Sequence, residues 1–241
     1  MNLTLKVLSA LLAYPTAEMQ KISDVLGTVL AADRLIPARI RAALQTLVDE
    51  FATGDLYDLQ ERYVLLFDRT RSLSLHLFEH VHGESRDRGQ AMIDLKMQYE
   101  RAGLAMSTAE LPDFLPLFLE YLATRPVKEA CETLGQPAHI FAALAERLRK
   151  RQSAYEAVFR ALVALSTAKP KDEEVSALLQ LPDPDATDLA ALDAAWEDEP
   201  VSFGPNATGG CKDTLIEKIR AGRRPAPGVA QPQSRPIMPR S

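Results

Sequence analysis

The 241-residue sequence has few of the residues that several common classes of protein require. It has two cysteines, Cys131 and Cys211, which are far apart and form no CxxC pair. Two such cysteines cannot by themselves hold an iron–sulfur cluster or a structural zinc, and they do not build a disulfide framework. We therefore expect a reducing compartment and a cytoplasmic protein.

Aromatic residues make up only 6% of the chain, and no segment alternates polar and apolar residues with a period of two. Both observations disfavour β-sheets, whereas the abundance of alanine and leucine favours helices. No apolar run approaches the ~20 residues of a membrane span. Lys6 interrupts the apolar N-terminus, which we expect to be a first helix and not a signal peptide. The net charge of −5 argues against general nucleic-acid binding.

Apolar residues recur at helical spacing through most of the chain, which predicts one compact all-α domain over residues 1–167. Residues 168–211 are rich in acids and contain a helix-like piece around Leu189, Leu192 and Trp196, so we expect an acidic, partly helical segment. Residues 212–241 have seven bases, two acids and little apolar surface to bury. This composition predicts a disordered basic tail.

Several positions mark expected helix boundaries. Thr16 should cap a second helix that continues through Ile22 to residue 30, and Gly103 should end the helix that Ser85 begins. Asp113 should cap a helix that includes Pro116. We also expect a short helix over residues 73–81 and a continuous helical run over residues 140–165.

Residues 78–92, with the sequence FEHVHGESRDRGQAM, concentrate ionisable groups between two apolar helical segments. These groups are the acids Glu79, Glu84 and Asp87, the bases Arg86 and Arg88, and the histidines His80 and His82. The pattern is typical either of a solvated helix face or of a binding site. Gly83 and Gly89 interrupt the run. A glycine within a helix costs ~1 kcal/mol relative to alanine, so Gly89 indicates either close helix packing or the approach of a partner's backbone.

A second interpretation of this region is a metal site. His76, Glu79 and His80 match the HxxEH pattern of inverted zinc metalloproteases. On a helix the two histidines would share a face one turn apart. A zinc site would also need a third ligand from a later helix, and no residue is marked for that role. We therefore predict no metal and no catalytic residues.

Longer motifs resemble the NarJ family, the cytoplasmic assembly chaperones of the molybdenum-dependent respiratory nitrate reductase. The first is Phe67-Asp68-Arg69 followed by residues 75–92, LHLFEHVHGESRDRGQAM. The second is residues 110–117, ELPDFLPL, extended by LEYL at 119–122. AAWE at 194–197 and GGC at 209–211 are also similar, so the resemblance covers about residues 3–215. Members of the family usually have histidine where this chain has Phe114.

The resemblance implies the all-helical fold of redox-enzyme maturation chaperones, with no enzymatic activity and no cofactor of its own. The implied client is the apo α subunit of nitrate reductase, bound through its N-terminal segment and held for insertion of the molybdenum cofactor and an iron–sulfur cluster. The chaperone would delay membrane docking and be absent from the finished enzyme. Proteins of molybdenum cofactor biosynthesis would be further partners. A general helical scaffold or regulator is the alternative without the resemblance.

The predicted mode of binding places the apolar face of a client helix in a groove between helices of the core. Glu79, Glu84 and Asp87 would select basic residues beside the client's apolar face. We predict the following client-binding residues: Phe78, Glu79, His80, His82, Gly83, Glu84, Ser85, Arg86, Asp87, Arg88, Gly89 and Asp113.

Overall fold

The computed structural model describes residues 2–81, 86–106, 110–185 and 187–188. Over these ranges the fold is all-α, as predicted, and the one β-type pairing is an isolated antiparallel bridge between His76 and Phe114. The helices are α1 Asn2–Leu11, α2 Ala17–Lys21, α3 Ser23–Ala32, α4 Ala38–Thr53, α5 Leu56–Tyr63, α6 Arg86–Arg101, α7 Leu115–Ala123, α8 Val127–Leu134, α9 Ala138–Lys150, α10 Glu156–Leu165 and α11 Asp172–Leu179. No helix in the described ranges is both long and apolar enough to cross a bilayer.

The helices pack in pairs around one continuous apolar core. Helix α1 lies against α7 and α3, and α10 lies between α9 and α4. The apolar stripe of α1 is fully buried, and the Ser9 hydroxyl donates a 2.7 Å hydrogen bond to the Pro116 carbonyl in the first turn of α7. This contact links the N-terminal helix to the motif at residues 110–117.

Local sequence signals explain several helix ends. The Thr16 hydroxyl accepts from the Met19 N–H at 3.3 Å, and the Asp55 carboxylate accepts from the Tyr57 N–H at 2.8 Å, so both cap the helices that follow them. Gly103 has a φ of +78° and ends α6. The Leu104 N–H donates to the Tyr99 carbonyl at 3.0 Å, which completes a Schellman motif. The predicted cap at Thr16 and the predicted end at Gly103 are confirmed.

Two predicted continuous helices are divided, and both predictions of continuity were wrong. Helix α2 ends before Ile22, which is 45% exposed, and α3 then turns so that Leu26 and Leu30 enter the core. The run over residues 140–165 breaks at Gln152, whose φ is +53°. The Ser153 N–H donates to the Leu148 carbonyl at 3.0 Å, so a Schellman motif with glutamine in the left-handed position separates α9 from α10.

A buried arginine connects the chain after residue 167 to the core. Arg147 of α9 is 3% exposed and donates to the carbonyls of Ser72, Leu178 and Leu181 at 2.6, 2.7 and 3.3 Å. Helix α11 thereby packs along α9. Residues 189–211 and the basic tail lie outside the described residues, so the proposed division at residues 167 and 211 stays a prediction.

Replacing Arg147 with methionine should lower the free energy of unfolding by about 3 kcal/mol, because buried carbonyls lose charged donors. The matched control is Arg149→Met, on the same helix, whose side chain is 59% exposed and pairs with Glu146. The control should change stability by less than about 0.5 kcal/mol. Urea unfolding followed by far-UV circular dichroism measures both variants, and equal effects would contradict the role assigned to Arg147.

Candidate functional site

The segment before the charged run does not form the predicted helix over residues 73–81. It has two short 3₁₀ turns, Arg71–Leu73 and Leu77–Glu79, with non-helical backbone at Ser74 and extended backbone at His76. The helix does not form because this segment pairs with the residues at the start of and just before α7. The Leu115 N–H donates to the Leu75 carbonyl at 2.8 Å, and the Leu77 N–H donates to the Asp113 carbonyl at 3.1 Å. The two resembling motifs are therefore in direct contact.

Asp113 is the centre of this pairing and is fully buried. One carboxylate oxygen accepts from the Phe78 N–H at 3.0 Å, and the other lies 3.3 Å from His76 Nδ1. A buried carboxylate is tolerated when hydrogen bonds replace its lost hydration. The expected helix cap was wrong, because Asp113 bonds across to the Leu77–Glu79 turn and Phe114 occupies the N-cap position of α7.

The two histidines of the HxxEH pattern have different environments. His80 is buried, and its Nε2–H donates to the Ser74 carbonyl at 2.8 Å. Burial lowers the pKa of His80, which keeps the ring neutral, whereas the hydrogen bond to Asp113 raises the pKa of His76. They do not share a helical face, because His76 has extended backbone and precedes the Leu77–Glu79 turn, so the arrangement that a helical HxxEH zinc site needs is not formed. The described residues contain no group of three potential metal ligands.

The hydrogen bond between His76 and Asp113 should be visible in a titration. His76 should titrate above its ordinary pKa of about 6.5 because the folded state favours the imidazolium. This contribution to stability is present below that ordinary pKa and is lost as the pH rises through the folded pKa. Asp113→Asn should lower the pKa of His76 in an NMR titration, and Glu110→Gln should shift it less. An unchanged titration in Asp113→Asn would contradict the assignment.

The structure describes only part of the predicted client-binding set. His82, Gly83, Glu84 and Ser85 lie outside the described residues, and Arg86 and Asp87 are described only as the backbone that begins α6. Phe78, His80 and Asp113 are buried, whereas Glu79 and Arg88 are partly exposed and lie 4.0 Å apart. Gly89 is exposed, and a Cβ built there would meet no atom of the described residues within 4 Å. Close packing against a described helix therefore does not explain Gly89.

An open cleft of about 400 Å³ begins beside Leu77 and Phe78. It lies between the Leu77–Glu79 turn, the second half of α6, α7, α8 and the start of α9. Its lining consists of Leu77, Phe78, Leu95, Gln98, Arg101, Ala102, Phe118, Tyr121, Arg125, Glu129, Thr133, Gln136 and Pro137. We call this feature the α6–α8 cleft. The charged run over residues 78–92 thus begins at one edge of this concave surface.

The α6–α8 cleft combines apolar walls with fixed polar groups. Arg125 lies between α7 and α8. Its guanidinium donates two hydrogen bonds to the Glu129 carboxylate, from Nε at 2.8 Å and from Nη2 at 3.2 Å. Its guanidinium carbon lies 5.9 Å from the centre of the Tyr121 ring. Burial raises the pKa of Tyr121, so its phenol stays protonated. Apolar walls with a few polar groups at the edge are suited to binding an amphipathic segment.

Most of the α6–α8 cleft was not predictable from the sequence. The one available signal was the spacing of Leu95, Gln98 and Ala102, which places these residues on one face of α6. The other walls come from α7, α8 and α9, whose relative positions depend on tertiary packing. Nothing in the spacing of Tyr121, Arg125 and Glu129 shows that they face α6.

The comparisons with known proteins define the family. Residues 33–161, more than half of the chain, match the family model described as nitrate reductase delta subunit. The chain belongs to this family.

Similar proteins include the nitrate reductase molybdenum cofactor assembly chaperone NarJ of Escherichia coli K12, which is 43% identical over 229 residues, 95% of this chain and 94% of that protein. The probable chaperone NarW of the same strain is 39% identical over 90% of each chain. The probable NarJ of Bacillus subtilis 168 is 30% identical over 68% of this chain and 88% of that protein. The resemblance to the NarJ family is confirmed.

Proposed function

We propose that this protein is a dedicated cytoplasmic chaperone for the assembly of respiratory nitrate reductase. The observation that carries the proposal is the match over nearly the whole of both chains to a protein named as the molybdenum cofactor assembly chaperone of that enzyme. In this role the protein has no enzymatic activity. It binds the catalytic α subunit before cofactor insertion, keeps it competent for the molybdenum cofactor and an iron–sulfur cluster, and leaves before the enzyme is finished.

The α6–α8 cleft is the proposed binding site for the N-terminal segment of the α subunit. Its apolar walls suit the apolar face of a client helix of about 15 residues, or four turns. Burying about four apolar side chains could contribute roughly 6–12 kcal/mol. Lost rotational, translational and side-chain freedom opposes this contribution. A net binding free energy near 8 kcal/mol corresponds to about 1 μM, which suits a chaperone that must release its client.

The predicted client-binding residues have two different roles in this proposal. Glu79 follows the cleft-lining residue Phe78 and, with Glu84 and Asp87, attracts basic residues of the client. Phe78 is itself part of the cleft wall, and the buried side chains of His80 and Asp113 hold the Leu77–Glu79 turn to which it belongs. Proteins of molybdenum cofactor biosynthesis would approach the bound client and not the cleft itself.

The charge contribution can be tested by replacing Glu79, Glu84 and Asp87 together with their amides. We expect about tenfold weaker binding of the client peptide at low salt, because long-range attraction to basic residues is lost, and a smaller difference at high salt. The control carries Asp24→Asn, Asp58→Asn and Glu61→Gln, which remove the same charge at exposed positions. Equal affinities for both triple variants would remove the three acids from the site.

Calorimetric titration tests the proposed function with purified components. A synthetic peptide of the first ~15 residues of the α subunit, four helical turns, should bind with a dissociation constant of ~1 μM and a stoichiometry of one. A peptide of the same composition in scrambled order serves as the control. Equal binding of both peptides, or of neither, would contradict recognition of the N-terminal segment.

A further inference from the structure

The lining of the α6–α8 cleft has an excess of positive charge. Two arginines, Arg101 and Arg125, line it together with one acid, Glu129, among the described residues. Glu129 already accepts two hydrogen bonds from Arg125, so Arg101 carries the charge that the lining does not balance. Arg101 is exposed at the end of α6. A segment that fills this cleft should therefore combine apolar side chains with acids.

Residues 189–199, with the sequence LAALDAAWEDE, have this chemistry. They include four acids and no base. Leu189, Leu192 and Trp196 have the spacing of one helical face. Asp193, four residues after Leu189, would lie beside this apolar stripe on a helix. The stripe suits the apolar walls of the cleft, and the acids suit its positively charged lining.

The described chain brings this segment near the cleft. The Ser72 hydroxyl donates a 2.6 Å hydrogen bond to the Asp183 carboxylate. The cleft-lining residue Leu77 is five residues after Ser72 and therefore lies less than about 18 Å from it. Leu189 is six residues after Asp183, and a chain of this length spans up to about 21 Å. Leu189 can thus reach the Leu77 edge, and the residues after it can extend along the cleft.

The basic segment farther along the chain is a poorer occupant for two reasons. Residues 212–224 have five bases and two acids, so they would bring charge of the same sign to Arg101. They also begin 29 residues after Asp183, against six for Leu189. Because effective concentration falls roughly as the −3/2 power of linker length, it is about tenfold lower for the basic segment.

We propose that residues 189–199 occupy the α6–α8 cleft when no client is bound and that the client displaces them. The displacement, though not the docking, rests on the proposed function of the cleft. The tether gives the segment an effective concentration of ~1 mM. An intrinsic dissociation constant of about 100 μM would then fill roughly nine-tenths of the clefts and raise the client's apparent dissociation constant about tenfold. Occupancy would also cover the apolar walls between rounds of binding, which limits association with unrelated proteins.

Trp196 is the only tryptophan of the chain, so its fluorescence reports docking in the full-length protein without a label. Acrylamide should readily quench only about one-tenth of the emission, because a docked indole is shielded in roughly nine-tenths of the molecules. Leu189→Asp with Leu192→Asp should raise this fraction to nearly all, since it places two charges on the apolar stripe. The matched control, Ala191→Asp with Ala194→Asp, adds the same charges on the opposite side of the helix and should match the wild type.

A charge reversal in the lining tests where the segment docks. Arg101→Glu should raise the readily quenched fraction of Trp196 emission to about one half, as tenfold weaker intrinsic binding predicts. Lys96→Glu makes the same change of charge at an exposed position outside the lining and should match the wild type. An accessible Trp196 in the wild type, or a Trp196 that stays shielded in Arg101→Glu, would overturn the inference.

The client peptide provides the second readout. A saturating amount of the α subunit's N-terminal peptide should make Trp196 of the wild type accessible to acrylamide. The Leu189→Asp, Leu192→Asp variant should bind this peptide about tenfold more tightly than the wild type, because no segment competes for the cleft. Shielding that Arg101→Glu removes but the peptide does not would support docking of residues 189–199 and contradict the proposed function of the cleft instead.

Discussion

Replacing Ala102 with tryptophan should weaken binding of the client's N-terminal peptide at least ~30-fold, or by about 2 kcal/mol. Ala102 is partly buried in the wall of the α6–α8 cleft at the end of α6, and its small side chain leaves the cleft open. A bulky indole would occupy the space that the client's apolar side chains require. The fold should tolerate the change, because the indole extends into an existing opening. Calorimetry with the purified variant gives the affinity.

The matched control for the cleft is Lys96→Trp. Lys96 lies on the same helix and is exposed, but it does not line the cleft. This variant should bind the peptide like the wild type, and both tryptophan variants should melt within a few degrees of it. A client affinity that is unchanged in Ala102→Trp would place the binding site elsewhere on the molecule.

Replacing Asp113 with alanine should have the second large effect, a loss of about 3 kcal/mol in the free energy of unfolding. The Phe78 N–H and the His76 ring would lose their buried acceptor. The Leu77–Glu79 turn would also lose its main attachment to the chain before α7, so the cleft wall should loosen and client affinity should fall. Thermal unfolding should show a decrease of about 8 °C for a chain of this length.

Two further variants separate the carboxylate's hydrogen bonds from its charge. Asp113→Asn keeps one acceptor oxygen and should recover part of the stability. Glu110→Ala removes a nearby exposed acid and should leave the melting temperature within about 1 °C of the wild type. A wild-type melting temperature for Asp113→Ala would show that the pairing between the two motifs is not held by this carboxylate.

Local features of the fold were predictable from sequence because nearby residues determine them. Thr16 and Gly103 mark helix ends through hydrogen bonds that span only a few residues. Asp113 shows the limit of such arguments. Its type and position are equally suitable for a helix cap, but the bridge between His76 and Phe114 presents it with a better partner from a distant segment.

The candidate site also combines a part that nearby residues determine with a part that distant segments determine. The charged run after Phe78 was visible in the sequence, since so many ionisable groups in a short stretch are not needed for packing. The α6–α8 cleft was not visible, because four separate helices and one turn form its walls. Whether another described helix packs against Gly89 also depends on the arrangement of helices, so sequence alone could not choose between close packing and an accessible surface.

Co-purification with the apo catalytic subunit of nitrate reductase tests the central claim most directly. The tagged wild-type protein should retain the full-length apo subunit and lose most of it when about 15 N-terminal residues, four helical turns, are deleted. The Ala102→Trp variant should lose the full-length subunit to a similar extent, whereas Lys96→Trp should retain it. Equal recovery of the intact and shortened subunits by the wild-type protein would contradict the account.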